Sequence, residues 1–103
     1  MSCSRNDVVL LPIPFTDLTS RKVRPAVVVG RNGRDIFLVP ISSVLANTDF
    51  HLAGWHAAGL NVPSGIKAQL ATVAESLVLK TVGQLAPDDV HALNERLRGW
   101  LQL

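Results

Sequence analysis

Short apolar runs separated by turn-forming residues make up the first forty residues of the chain. Residues 7–14 (DVVLLPIP) are rich in valine and leucine and predict a buried strand that ends in a loop, because neither proline can donate to a β-ladder. Residues 25–30 and 35–41 predict two further strands, and the Asn-Gly pair within residues 31–34 favours a tight hairpin between them. Residues 15–23 are polar, basic and turn-rich, which predicts a loop.

The middle of the chain has a weaker pattern. Residues 50–60 mix apolar side chains with two glycines and predict a strand followed by a turn. Pro63 and Ser64 interrupt the chain before residues 66–72 and 76–82, each of which predicts a short strand. The pattern therefore predicts five or more short strands before the last twenty residues.

The carboxyl-terminal segment has a helical period instead. Four apolar side chains recur at spacings of three and four, namely Val90, Leu93, Leu97 and Leu101. Pro87 suits the first turn, but Ala86 has no side-chain oxygen, so the helix start is either frayed or capped from elsewhere. Short strands followed by one terminal helix predict a small, mostly antiparallel barrel with the helix packed on it.

Composition supports a single folded domain over residues 1–103. Two domains of half this length could not each bury enough apolar surface. Hydrophobic residues make up 48% of the chain and charged residues 17%, a balance that favours a packed core over disorder. This apolar share is high for a small monomer and predicts that a second copy covers part of the surface, as in a homodimer.

Cysteine usage and run lengths restrict the remaining classes. Cys3 is the only cysteine, which excludes a disulfide framework and a cysteine zinc site and fits a reducing cytoplasm. Asp49, His51 and His56 match the spacing of no standard metal site. The apolar runs are about five to eight residues long, too short to span a bilayer, and no signal segment opens the chain. We expect a soluble, cytoplasmic protein without a metal ion or cofactor and without a membrane partner.

Positive charge is concentrated although the formal net charge is only +2. Five of the ten basic residues fall within fourteen positions: Arg21, Lys22, Arg24, Arg31 and Arg34. Such a cluster can hold a phosphate backbone, or it can simply solvate a loop. Composition leaves both interpretations open.

Residues 7–30 resemble the opening of the PemK/MazF-like toxins. The shared features, in order, are a strand, a Pro-x-Pro-Phe-Thr-Asp segment, a basic loop, an Arg-Pro pair and a valine-rich strand. The residues that carry the resemblance are Asp7, Val8, Pro12, Pro14, Phe15, Thr16, Asp17, Lys22, Arg24 and Pro25. Residues 41–43, 58–60, 63–64, 70–73 and 82–85 also resemble the PemK branch. The resemblance spans nearly the whole chain.

This resemblance implies a mostly β fold with one C-terminal helix, the SH3-like small barrel of CcdB/PemK-type toxins, assembled as a homodimer and encoded beside an antitoxin protein. It also implies a metal-independent endoribonuclease that cleaves single-stranded mRNA. RNA carries its own nucleophile, the 2′-hydroxyl. Such an enzyme must align that hydroxyl with phosphorus, move protons and stabilise the phosphorane.

Three residues are candidates for catalysis. Arg24 matches the family's active-site arginine, and its fork of donors suits two phosphate oxygens. Ser42 falls where the family places a Thr or Ser; its hydroxyl can bond the phosphate or the 2′-hydroxyl, or it can satisfy the backbone as an ordinary strand-end serine. Arginine keeps its proton at accessible pH, so His51 or a bound water is the hypothetical acceptor of the 2′ proton. Six further side chains are expected to bind RNA: Thr16, Asp17, Arg21, Lys22, Ser43 and Lys67.

Two positions depart from the family pattern. Asn6 stands where relatives usually carry Gly, and Asn is the other residue that best tolerates positive φ. In residues 65–70 many relatives carry a basic residue followed two positions later by an acid, whereas here Lys67 is followed by Gln69.

The missing acid leaves two alternatives to a nuclease. One is a toxin that acts by binding a protein, as the gyrase poison CcdB does on the same fold. The other is a catalytically degenerate homologue that still binds an antitoxin. In either case, charge complementarity predicts that an acidic segment of the antitoxin lies across residues 21–24.

Overall fold

The computed structural model describes residues 2–12 and 22–103, and these residues form seven strands and one α-helix. The elements are β1 (Asp7–Pro12), β2 (Val23–Asn32), β3 (Asp35–Ser42), β4 (Phe50–His51), β5 (Gly65–Ile66), β6 (Ala71–Ala74), β7 (Lys80–Gln84) and α1 (Pro87–Leu101). Short 3₁₀ turns follow β3 at Leu45–Asn47 and β6 at Glu75–Leu77. The predicted order of strands followed by one terminal helix is confirmed.

The strands form one bent antiparallel sheet in the order β4-β5-β3-β2-β1-β7. Both β5 and β6 pair with β3, β5 against residues 41–42 and β6 against residues 35–38. The strand predicted over residues 66–72 is therefore divided in two, because the chain turns between them, where the Gln69 amide donates to the Lys67 carbonyl at 2.8 Å. The strand predicted over residues 76–82 begins only at Lys80, after the second 3₁₀ turn.

The three central strands are buried on both faces. On one face Val8 and Val39 belong to a cluster that includes Leu93 of α1, and on the other face Val9 and Leu38 belong to a second cluster. Residues that alternate along a strand point to opposite faces, so a strand covered on both sides is apolar throughout. This two-sided burial explains the uninterrupted valine and leucine runs of the sequence.

The β2–β3 hairpin turns through Gly33 and Arg34, since Asn32 still pairs with Asp35. Gly33 has φ +63° and no positive φ occurs at Arg34, which is the pattern of a type II′ turn. The hairpin prediction is confirmed, with a turn of two residues instead of the four allotted to it.

Helix α1 packs through Leu93 and Leu97, both buried, as the spacing predicted. Leu101 leaves 49% of its surface exposed, whereas its neighbour Trp100 is partly buried against the core cluster. The residue before the helix, Ala86, provides no side-chain cap.

Asn6 adopts φ +75° directly before β1. Its amide donates to the Val28 carbonyl at 2.8 Å, and its carbonyl accepts from the Leu85 amide at 3.0 Å. The left-handed conformation therefore joins β1 to both β2 and the segment after β7, and the expectation that asparagine replaces glycine in a positive-φ position is confirmed.

Glu75 ties the amino-terminal residues to the sheet. Its carboxylate accepts from the Cys3 amide at 2.6 Å and pairs with Arg31, and the same guanidinium donates to the Cys3 carbonyl at 3.0 Å. The Cys3 amide and the Arg31 guanidinium hold the pKa of Glu75 below its ordinary value. Burial raises the pKa of the Cys3 thiol, whose side chain lies in the second core cluster.

We expect Glu75→Gln to lower thermal stability more at pH 7 than at pH 3. A carboxyl group whose pKa is lowered by folding stabilises the protein above its unfolded pKa, and this contribution disappears as pH falls through the folded pKa. Melting temperatures of both proteins between pH 7 and pH 3 test this. Glu95→Gln, on the exposed face of α1, is the control and should melt like the wild type throughout. An equal loss for Glu75→Gln at both ends of the range would contradict the pH dependence.

Candidate active site

A groove opens where β2 and β3 separate. Ala26 and Pro40 form the last pair between these strands. Beyond this pair β2 remains bonded to β1, whereas Ile41 and Ser42 turn to pair with β5. The gap between the diverging strand ends forms a groove of about 590 Å³. The groove therefore lies where the pairing of β2 with β3 ends.

Five chain segments line the groove, one of them β1 through Leu10. The amino-terminal end of β2 forms one side of the groove. The carboxyl-terminal end of β3, with the residues that follow it, forms the other side. The chain between β4 and β5 and the start of β7 complete the walls. The lining residues include Val23, Arg24, Ser42, Ser43, Val44, Gly59, Asn61, Val62, Lys80 and Val82.

The charge of the groove is positive. Among the described residues that line it, Arg24 and Lys80 carry charge, both are exposed, and no carboxylate accompanies them. Cations without acidic partners at a concave site attract anions. Three valines at the same site, Val23, Val44 and Val62, each leave about half of their surface exposed. The groove thus combines two cations with apolar surface.

Ser42 presents a partly used hydroxyl to the groove. Its Oγ accepts a hydrogen bond from the Val44 amide at 3.0 Å. This contact fixes the oxygen and leaves the hydroxyl hydrogen free to donate. The backbone contact expected of a strand-end serine is therefore present, and it is compatible with a bond from the same hydroxyl to a ligand. Ser43 lies beside it, exposed, in the groove wall.

His51 and Lys67 lie outside the lining of this groove. Gly65 pairs with Ser42 on one side and His51 on the other, so two strand spacings, about 10 Å, separate their Cα atoms. The Thr48 side chain occupies the space above Gly65, with its Oγ1 2.5 Å from where a Cβ of that glycine would stand. Lys67 is half-buried, and its amide donates to the Pro40 carbonyl at 3.0 Å.

The other residues predicted to bind RNA come before β2 in the sequence. Lys22 is exposed immediately before β2. Thr16, Asp17 and Arg21 fall outside the described residues. Of the predicted site residues, the structure thus brings Arg24, Ser42 and Ser43 together in one groove.

The sequence matches a known protein family over most of its length. A family model for PemK-like, MazF-like toxins of type II toxin-antitoxin systems matches residues 4–101. The chain belongs to this family. No protein among those with curated functions matches the sequence.

Solved structures of mycobacterial proteins are similar in fold to this PemK-like chain. Mycobacterium tuberculosis toxin MazF-mt6 matches with a TM-score of 0.72 at 17% identity, over 94% of this chain and 97% of that one. An endoribonuclease in complex with its cognate antitoxin from a mycobacterial species matches at 0.71 and 17%, over 98% and 94% of the two chains. A further mycobacterial endoribonuclease matches at 0.69 and 16%, over 100% and 95%. The predicted mostly β, barrel-like toxin fold with one C-terminal helix is confirmed, although the sheet is not closed.

Asp89 anchors the chain between β4 and β5, part of which lines the groove, and the sequence did not single it out as a site residue. Asp89, in the first turn of α1, is 2% exposed and accepts from two successive amides, Ala53 at 2.9 Å and Gly54 at 2.8 Å. Amide-to-carboxylate bonds of this kind are among the stronger ones in proteins. Asp89 therefore fixes the chain after β4 to the start of the helix. An acid in the first helical turn is visible in sequence, but its partners are not.

Close backbone contacts hold the same segment against β7. A Cβ on Gly59 would lie 2.3 Å from the Val82 carbonyl oxygen, and a Cβ on Gly83 would lie 2.4 Å from the Ala58 carbonyl oxygen. Two backbones can approach this closely only where both positions are glycine. The reciprocal pair places Gly59 and the residues after it at the edge of the groove.

Two aromatic side chains, Phe50 and Trp55, lie outside the groove lining. Phe50 and Trp55 are partly buried against the core cluster under α1. The Arg96 guanidinium lies 5.3 Å from the centre of the Phe50 ring, and its Nε is 2.7 Å from the Asp49 carboxylate. Packing is the observed role of both rings, and the apolar surface of the groove comes from its valines.

Among the described residues, no group of three or more histidine, cysteine, aspartate and glutamate side chains is arranged to hold a metal ion. No α-helix in the described part of the chain is long and apolar enough to cross a membrane.

Proposed function

We propose that this toxin is an endoribonuclease that cleaves single-stranded mRNA through attack of the 2′-hydroxyl on the adjacent phosphodiester. The observation that carries the proposal is the groove at the β2–β3 split, which Arg24 and Ser42 line together, with no carboxylate among the described lining residues. Family membership and the fold shared with solved endoribonucleases support the same activity.

The groove residues supply what the reaction requires of the protein. Arg24 donates to two non-bridging phosphate oxygens and neutralises the charge that grows on the phosphorane. Ser42 donates its hydroxyl hydrogen to a phosphate oxygen while the Val44 amide keeps its oxygen in place. The 2′-hydroxyl loses its proton and its oxygen forms a bond to phosphorus. The bond from phosphorus to the 5′-oxygen breaks, that oxygen takes a proton from water, and the products are a 2′,3′-cyclic phosphate and a 5′-hydroxyl. Lys22, Ser43 and, within residues 16–21, Thr16, Asp17 and Arg21 are proposed to extend the RNA-binding surface.

Single-stranded RNA fits this groove better than a small anion does. Unpaired bases expose apolar faces that proteins bind with apolar side chains, and three half-exposed valines lie next to the two cations. Residues 65–70, where the family's acid is missing, lie outside the groove lining. The proposed chemistry therefore does not depend on an acid at Gln69.

Mapping of 5′ ends on a long mixed-sequence RNA tests the proposal. Wild-type protein in EDTA buffer should produce discrete new 5′-hydroxyl ends, and Arg24→Ala should not. RNA that stays intact with wild-type protein, or that is cut equally by Arg24→Ala, would contradict it. Inhibition of gyrase with intact RNA would select the protein-binding alternative, which no observation on this chain favours.

The identity of the proton acceptor is tested separately. Because His51 lies two strand spacings from Ser42, we expect His51→Ala to reduce the single-turnover cleavage rate by less than about tenfold, with a water molecule as the acceptor. His91→Ala, an exposed position on α1, is the matched control. A loss of about 10²-fold or more for His51→Ala alone would instead identify the histidine as the general base.

The proposed partners follow from the family and from surface chemistry. We propose a cytoplasmic homodimer that a cognate antitoxin holds inactive, with an acidic antitoxin segment lying across residues 21–24. Charge reversal at Lys22 should then weaken the complex, as measured by isothermal titration. Unchanged affinity would move the antitoxin site elsewhere.

A further inference from the structure

Lys80 lines the groove on the side of β7 and has no counterpart among the site residues that the sequence suggested. It is the first residue of β7, where it pairs with Leu10 of β1, and Leu10 pairs in turn with Pro25 of β2. Residues that face one another across neighbouring strands share a face of the sheet. Lys80 therefore stands on the same face as Leu10 and Pro25, two strand spacings or about 10 Å from β2.

The Lys80 side chain is exposed, and among the described residues it takes part in no ion pair. The other lysine near the site, Lys67, is half-buried outside the groove lining. Strand alternation places Arg24 on the face opposite to its neighbour Pro25. At this end of β2, beyond the last pair with β3, Arg24 and Lys80 nevertheless both line the groove. Two long cationic side chains whose backbones are about 10 Å apart can hold two neighbouring charges of one polyanion.

We propose that Lys80 binds the backbone phosphate adjacent to the one held by Arg24, so that the strand crosses the groove from β2 to β7. This inference rests on the proposed nuclease function and adds the direction in which the RNA lies. Lys80 is assigned to substrate binding and Arg24 to the reacting phosphate. The two side chains should therefore affect different kinetic constants.

Binding of a strand that cannot be cleaved isolates the role of Lys80. The probe is a mixed-sequence pool of single-stranded 2′-O-methyl RNA, which lacks the nucleophilic hydroxyl, titrated by fluorescence anisotropy between about 50 and 300 mM KCl. We expect Lys80→Ala to weaken binding about three- to tenfold and to reduce the slope of log affinity against log salt by about 0.7, the value for one phosphate contact on a single strand. Lys80→Arg should restore both.

Two further variants make the test specific. Arg98→Ala removes an equal charge from an exposed position on α1 outside the groove and should leave the salt slope unchanged. Lys67→Ala compares the two lysines directly. In cleavage assays, Lys80→Ala should raise KM and leave kcat within about threefold, whereas Arg24→Ala should lower kcat.

The outcomes separate this inference from the proposed function. If wild-type protein cleaves RNA and Lys80→Ala keeps the wild-type salt slope, Lys80 is not a phosphate contact although the nuclease proposal stands. A slope change for Lys67→Ala but not for Lys80→Ala would overturn the inference in favour of the other lysine. If wild-type protein neither binds nor cleaves RNA, both proposals are wrong.

Discussion

Replacing Arg24 with alanine is expected to lower the single-turnover rate of RNA cleavage by about 10²- to 10³-fold. Loss of one preorganised donor from the site where transition-state charge develops has an effect of this size. Arg24 is exposed at the start of β2 and its side chain fills no core position, so the fold should lose less than about 0.5 kcal/mol. A quenched-flow assay on a labelled RNA that contains one mapped cleavage site measures the rate.

Arg24→Lys distinguishes charge from geometry. Lysine keeps the positive charge but cannot donate two parallel hydrogen bonds, so we expect it to recover part of the rate and to remain about tenfold below wild type. Arg34→Ala, in the β2–β3 turn at the other end of the strand, removes the same charge far from the groove and should cleave normally. Full activity in Arg24→Lys would mean that Arg24 acts only through its charge, and full activity in Arg24→Ala would remove it from the mechanism.

Much of the fold could be predicted because it depends on local signals. The type II′ turn needs a glycine at one position, and α1 needs apolar side chains at helical spacing, and both are present in short stretches of sequence. The division between β5 and β6 could not be predicted in this way. Both segments pair with β3, and only the long-range pairing determines where the edge strand breaks.

The candidate site shows the same limit. If the register of the hairpin pair Asn32–Asp35 continued unchanged along both strands, Arg24 would lie opposite Ser43. A β-bulge at residues 28–30 shifts the register by one residue. The register on the far side of the bulge pairs Ala26 with Pro40, and two residues further along each strand it brings Arg24 level with Ser42. Family resemblance selected Ser42 as a candidate for catalysis and Ser43 as a residue expected to bind RNA. No local pattern in the sequence marks the bulge that separates the two.

Lys80 and Asp89 were missed for a related reason. A lysine at the start of a strand and an acid in the first turn of a helix are both ordinary features on their own. Lys80 becomes a candidate ligand only because β7 pairs with β1 beside β2, and Asp89 becomes important only because the chain after β4 passes above it. Such roles depend on contacts between residues that are far apart in the sequence.

Replacing Gly59 with alanine is expected to have the largest effect on stability, a loss of roughly 2–5 kcal/mol. Its φ of +91° costs an alanine about 1–2 kcal/mol, and overpacking adds roughly 1–3 kcal/mol. The contact cannot relax easily because the new Cβ meets the oxygen and carbon of the Val82 carbonyl at 2.3 and 2.8 Å. Urea unfolding followed by circular dichroism measures the free energy of unfolding.

Three other glycines distinguish the cost of a positive φ from the cost of a close contact. Gly33 shares the positive φ but has no atom within 4 Å of a new Cβ, so Gly33→Ala should lose only about 1–2 kcal/mol. Gly83 has the close contact without positive φ, and Gly83→Ala should lose about 1–3 kcal/mol. Gly99 has neither and lies in α1, so Gly99→Ala should stabilise the protein by up to about 1 kcal/mol. A loss at Gly59 no larger than that at Gly33 would mean that the chain after β4 does not rest against β7.

The same series connects stability to the groove. Gly59 and Val82 both line it, so any displacement that accommodates the new methyl group moves the wall that Lys80 shares. At low temperature, where Gly59→Ala and Gly83→Ala remain folded, we expect both to raise KM for RNA while Gly33→Ala and Gly99→Ala leave it unchanged. KM values that stay at the wild-type level in folded Gly59→Ala would show that the wall can shift without affecting the substrate, and that Arg24 and Ser42 alone position the RNA.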